Sequence, residues 1–270
     1  MDPRPGPNPH RLASLIRQAV DRLRLDLSGL TVLTEAASGT YVVTPLIAAA
    51  AGADKVYALA RSTSYGSVED VTAQTLGQAR LMGLEQRIEV ITRKTPEIVA
   101  SADIITNTGH VRPIDAAMVA QMKPTAVVPL MYEAWEFRDG DVDLDACRSR
   151  GILVAGTNEC HETVDMFSFL GIMAVQQLLD AGVCPYLSSI LLLCDNTFRP
   201  SMERGLRAAG ARLDVRSEAG MLPDDAQYDA IVCAMTPQPE PVLRGEHAAR
   251  IAARYPGSGV TQYWGDIDRR

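Results

Sequence analysis

His110 and Arg112 stand two residues apart in the stretch Asn107-Thr108-Gly109-His110-Val111-Arg112. An imidazole titrates near neutrality and a guanidinium forks onto carboxylates, so the pair has the parts that reduction of a 2-oxo acid uses. A surface histidine beside a structural arginine is the plainer alternative. Tyr132, Glu133, Trp135 and Glu136 form a second polar group. Its two carboxylates suit acid–base work or the orienting of a histidine; otherwise the stretch is a polar loop around one indole. Cys160-His161-Glu162, with Asp165 behind it, opens a long apolar run. Near a helix N-terminus Cys160 is a candidate nucleophile. His161 and Asp165 share one helical face, yet His-Glu-x-x-Asp lacks the second histidine of a zinc protease, so no metal site is expected. Helix capping by Asn158 accounts for the same residues. The candidate catalytic set is His110, Arg112, Glu133 and His161.

Three turns supply candidate cofactor contacts. Arg61-Ser62-Thr63 follows a strand at the place where dinucleotide enzymes select the adenosine ribose. An acid there accepts from free ribose hydroxyls; an arginine with hydroxyls suits the 2′-phosphate of NADP. A solvated turn has the same composition. Ser38, Gly39 and Thr40 in the first turn, and Asn107, Thr108 and Gly109 in the fourth, complete the set.

These residues need a scaffold that gathers strand ends. Apolar, β-rich runs at 31–34, 55–60, 87–92, 103–106, 126–130 and 152–155 alternate with helical stretches at 42–51, 67–82, 114–122 and 144–150. Continuous apolar strands separated by helices predict an α/β fold with a doubly wound, mostly parallel sheet of Rossmann type. Ligands bind outside the carboxyl ends of such strands. The strands ending at Thr34, Thr106 and Leu130 are expected side by side, bringing Ser38, His110 and Glu133 around one cleft. Ser67 with Asp70 forms a capping box for the helix that Gly83 stops. Residues 1–29 read as an extended arm, over 1–9, and a helix, 30–160 as the Rossmann-like domain, and 161–184 as an inter-domain helix. The apolar surface of that helix, over 163–179, runs nearly all round and predicts burial between domains. A second, smaller α/β domain over 185–270 has strands at 190–194, 212–215, 230–234 and 260–263 and helices at 201–209 and 246–254. The apolar stripe of the N-terminal helix, Leu12, Leu15, Ile16, Ala19, Val20 and Leu23, is a candidate homodimer surface.

With 270 residues and 47% hydrophobic composition, the chain can bury a substantial core. A net charge of −7 and 5% aromatic content argue against a nucleic-acid partner. No apolar run approaches the ~20 residues that span a bilayer, and the N-terminus lacks the apolar core of a signal peptide, so a cytoplasmic protein without a membrane partner is expected. Five scattered cysteines without a Cys-x-x-Cys pair offer neither a zinc knuckle nor a disulfide framework.

The segment from Asp141 to Asn158, with Asp143-Leu144-Asp145-Ala146 and Arg150-Gly151-Ile152 leading to Gly156-Thr157-Asn158 and a long helix, resembles the D-isomer-specific 2-hydroxyacid dehydrogenases. Ala102 to Gly109, followed by Met122-Lys123-Pro124, more loosely resembles S-adenosylhomocysteine hydrolase. The resemblance covers about 90 residues and implies a dinucleotide-binding fold, while the dehydrogenase arginine, glutamate and histidine find no counterparts residue by residue. Glycine fingerprints are missing: the first turn is Glu35-Ala36-Ala37-Ser38-Gly39, the later one Cys194-Asp195-Asn196-Thr197-Phe198-Arg199-Pro200-Ser201. Glu35 would repel a phosphate. The expected function is an NADP-type oxidoreductase acting on a small polar or carboxylated metabolite. One alternative is a methyltransferase using S-adenosylmethionine, although Ala60-Arg61 replaces the usual ribose-binding acid; another is a non-catalytic Rossmann-like binding or assembly subunit.

Overall fold

A computed structural model describes residues 8–218, 220 and 226–268; the expected extended arm falls mostly outside them. The chain forms two compact units, residues 1–159 and 160–270.

In the first unit, α1 (Pro9–Leu23) precedes β1 (Thr31–Glu35), α2 (Val43–Ala50), β2 (Lys55–Leu59), α3 (Val68–Met82), β3 (Ile88–Ile91), α4 (Pro96–Ser101), β4 (Ile104–Ile105), α5 (Ala116–Val119), β5 (Val127–Pro129), α6 (Leu144–Ser149) and β6 (Leu153–Ala155). All six strands are parallel, in the order β3-β2-β1-β4-β5-β6. Strand order reverses between β1 and β4, the switch point where a crevice opens above a doubly wound sheet. The ends of β1, β4 and β5 therefore lie side by side, as the sequence predicts. Alternation along β1 feeds two cores: Leu33 packs with Ile105, Val128 and Met122 on one face, Val32 with Leu46, Val56 and Ala58 on the other.

Local signals explain most element ends. The Ser67–Asp70 capping box starts α3, and Gly83 ends it in the left-handed region at φ 72°. Residues 114–122 hold only the short α5, because Gln121 N–H bonds to Met118 O and Met122 N–H to Val119 O, tightening the last turn. The unpredicted α4 is capped by Thr95 and begins on Pro96; six residues are too few for periodicity to register.

The second unit comprises α7 (Ser168–Asp180), β7 (Ser189–Leu193), α8 (Arg199–Ala208), β8 (Arg212–Arg216), β9 (Ala230–Ala234), α9 (Gly245–Arg254) and β10 (Gly259–Trp264). Its parallel sheet runs β10-β9-β7-β8. Helix α7 starts later than expected, since Asp165 adopts φ 46° and residues 161–165 close turns onto His161 O. It crosses α8 at Gly171 and Gly205, where a Cβ on either glycine would meet the other helix's backbone. Only one stripe of α7 is buried, Gly171, Ala174 and Leu178; Phe169, Ile172 and Leu179 are exposed. Within the second unit, that face packs against α8 and the sheet beside it.

Among the described residues no helix is long and apolar enough to cross a membrane.

Candidate functional site

Strand β1 ends on Glu35, and the chain turns through Ala36, Ala37 and Ser38 into a short 3-10 helix, Gly39–Val42. Strand β4 ends beside it and leads into Asn107-Thr108-Gly109-His110. Between these turns, with the β2 turn at one side, lies a pocket of about 520 Å³ lined by Glu35, Ser38, Tyr41, Arg61, His110 and Met131 among others. It sits at the switch point, where the topology places a ligand.

Glu35 forms the floor. It is only 7% exposed, and its Oε2 accepts the His110 backbone N–H at 3.0 Å. That bond joins the loops after β1 and β4. Beneath it, hydroxyls of Thr34, Thr106 and Thr108 form a chain with links of 2.8 and 3.1 Å. Asn107 is fully buried; its Oδ1 accepts Met131 N–H, tying β4 to the loop after β5, while Nδ2 has no partner among the described residues.

The lining also holds a cation. Arg61 and Thr63 line the pocket, and Arg61 is exposed, without a hydrogen bond or ion pair among the described residues. Lys94 lies close enough to feel it: burial, then the Arg61 charge, holds the Lys94 ammonium below the ordinary lysine range, with Asp115 pulling the other way. Lys94 is fixed by the carbonyls of Val111 and Pro113. The exposed guanidinium of Arg61 in the pocket lining favours an anion near it.

The expected residues divide accordingly. Ser38, Arg61, Thr63, Gly109, His110 and Arg112 come together around this pocket. Ser62 turns away, its Oγ accepting the Val68 N–H at the start of α3. Gly39 holds φ 64° and donates its N–H to Gln74 Oε1, and Thr40 is exposed in the 3-10 turn. Neither lines the pocket. Asn107 and Thr108 support it from below.

Three expected catalytic placements are revised. Arg112 reaches the pocket, but its Nη1 donates to Asp141 Oδ2 at 2.9 Å, and Tyr132 Oη donates to the same oxygen at 2.8 Å. One arm of its fork is therefore spent on tying the loop after β4 to the loop after β5. Glu133 is absent from the pocket, because both of its oxygens are used: Oε2 accepts Trp135 Nε1–H and Oε1 accepts Glu159 N–H. Glu159 sits with Glu133 and Glu136, and burial, then these charges, raises its carboxyl. No group of three or more His, Cys, Asp or Glu able to hold a metal ion occurs among the described residues. His161 belongs to the second unit, where it is exposed in a turn and its Nδ1 accepts Thr163 N–H; it does not share a helical face with Asp165.

Glu35, Tyr41 and Tyr65 also line the pocket, beyond the residues expected from the sequence. Glu35 had a readable signal, being the last residue of a buried strand. Tyr41 and Tyr65, exposed at the pocket mouth, had none.

In the second unit, the loops after β7 and β9 are tied to each other by their own side chains. After β7, Asp195 Oδ1 accepts both the N–H and the hydroxyl of Thr236, in the loop after β9. Asn196 Nδ2 donates to Ala234 O, and its Oδ1 accepts the Phe198 N–H. The Phe198 ring packs between Phe167 and Trp264, at centroid separations of 5.0 and 4.8 Å.

No family model matches the sequence, and no curated protein matches it. Solved structures do. A dipicolinate synthase polypeptide of Bacillus halodurans is similar at 12% identity and a TM-score of 0.53, over 90% of this chain and 86% of that one. Dipicolinate synthase from Bacillus subtilis is similar at 12% identity and a TM-score of 0.52, over 91% of this chain and 85% of that one. Pyruvate reductase of Chlamydomonas reinhardtii follows at 12% identity and 0.49, over 90% and 72%. Identities this low establish a shared fold and no more; the first two carry that statement. The chain has the Rossmann-like α/β fold that its resemblance to 2-hydroxyacid dehydrogenases implies.

Proposed function

We propose that the first unit binds a nicotinamide dinucleotide, NADP in preference to NAD, and that the protein is an oxidoreductase acting on a small polar or carboxylated metabolite. The observation that carries this reading is Arg61, which follows β2, lines a pocket at the switch point and is unpaired among the described residues. Arg61 and Thr63 would hold the 2′-phosphate, and the turn at Ser38 would face the rest of the cofactor. Bound there, the dinucleotide supplies or accepts a hydride. His110, whose backbone is pinned by Glu35, lines the same pocket and would serve as the proton donor or acceptor. Arg112 keeps the loop after β4 fixed through Asp141.

Titration calorimetry tests it. The chain should bind NADP more tightly than NAD, and Arg61→Ala should weaken NADP by about 1.5–3 kcal/mol, the usual worth of a hydrogen bond to a charged group, while leaving NAD nearly unchanged. Absence of binding to either dinucleotide refutes the proposal. His110→Gln should retain NADP affinity and lose roughly 10²–10⁴ in turnover.

Glu35 favours a second reading, an S-adenosylmethionine-dependent methyltransferase. A carboxylate on the pocket floor opposes a pyrophosphate, whereas it suits the ammonium of a methionyl group. S-adenosylhomocysteine in the same titration separates the two. The reading also includes a homodimer through α1, whose Leu15 and Leu23 are exposed; light scattering before and after deletion of residues 1–26 tests that part.

A further inference from the structure

Glu35 is a buried carboxylate without a cation. Neither a lysine nor an arginine among the described residues pairs with it. Its Oε2 receives one backbone N–H, and Oε1 accepts no hydrogen bond from the described residues. Burying a carboxylate is costly unless it is paired as well as hydrogen-bonded. Glu35 nevertheless lines a pocket with room for a small metabolite. Chains that need only a brace between two loops can use an asparagine, as this one does with Asn107 and Met131 a few residues away. A charged brace facing an open pocket is a binding group.

We infer that the pocket recognises a protonated primary amine, which docks on Glu35 Oε1, and that the ligand is of the amino-acid class. A hydroxyl would donate a hydrogen bond but leave the charge uncompensated; an ammonium supplies both. The lining holds groups of both signs, the Glu35 carboxylate and the Arg61 guanidinium. Assigning the amine to the substrate rests on the oxidoreductase reading, in which Arg61 takes the dinucleotide phosphate. In the methyltransferase reading the same amine belongs to the cofactor.

The test compares twins that differ at one group, on the full chain by calorimetry with and without NADP: alanine and lactate, aspartate and malate, phenylalanine and phenyllactate, and S-adenosylhomocysteine against adenosine. At least one amine should bind ten-fold or more tightly than its twin. Glu35→Gln keeps an acceptor for His110 N–H but removes the charge, and should erase that preference. Glu35→Asp keeps the charge and should retain it in weakened form, which separates loss of charge from loss of fold. The inference is overturned if no amine binds, if the hydroxyl twins bind equally well, or if Glu35→Gln still discriminates. Failure of NADP with a Glu35-dependent preference for S-adenosylhomocysteine removes the oxidoreductase reading and keeps this one. NADP binding without any amine preference does the reverse.

Discussion

Replacing Gly205 by alanine should damage the second unit, while the same replacement at Gly77 should strengthen the first. A Cβ built on Gly205 lies 2.5 Å from the carbonyl carbon of Gly171 and 2.8 Å from its oxygen; one on Gly171 lies 2.5 Å from Ser201 O. Carbon atoms in contact settle at about 3.5–4.0 Å. Both helices must therefore separate by roughly 1 Å, and a gap of that size forfeits a quarter to a half of each contact along the seam. Ala174, Leu178, Met202 and Leu206, all fully buried, line the seam. Overpacking of this kind costs about 1–3 kcal/mol, and backbone-to-backbone contact puts Gly205→Ala near the top of that range. Gly77, in the middle of α3, meets nothing within 4 Å. Alanine there should gain about 0.5–1 kcal/mol, because it restricts the unfolded chain. Urea denaturation of both variants reads the difference directly. A Gly205→Ala protein within about 0.5 kcal/mol of the parent, the ordinary scatter of neutral surface changes, would refute the packing argument.

Tyr132→Phe removes one of two donors to Asp141 and should cost about 1.5–3 kcal/mol by urea denaturation; the phenol, raised by burial and then by Asp141, should titrate above the ordinary tyrosine range in a spectrophotometric pH titration. Ser67→Ala breaks the capping box of α3 and should cost about 0.5–2 kcal/mol in the same assay. Asp103 is pushed up by burial but held, on balance, below its usual 3.8 by Lys123 and the Thr31 N–H. Such a group stabilises fully above the unfolded-chain value and loses that contribution as pH falls through the folded one, so Asp103→Asn should cost stability at pH 7 and progressively less in denaturation series run below pH 3.8.

The parallel sheet was legible because its strands are short apolar runs between helices, and β9 occupies the same residues that its pattern marks out. Residues near strand ends were legible for the same reason: Ser38, Arg61 and His110 follow strands, and they meet. What partner each side chain takes was not legible. Arg112 finds Asp141 and Glu133 finds Glu159 across 29 and 26 residues of chain, and nothing local announces such pairings. The two glycines of the α7 seam gave no sign either, because close approach depends on which helix lies opposite. Around Asp165 one residue with positive φ outweighs five positions of helical pattern.

In the second unit, Asp195 Oδ1 accepts both donors of Thr236, its N–H and its hydroxyl. The loops after β7 and β9 are thus held from within, by a group that cannot dissociate. A chain with two parallel α/β sheets would ordinarily invite a count of two nucleotides. Here the loops at the second switch point are latched to each other by a carboxylate, so opening a site there would first cost those two hydrogen bonds.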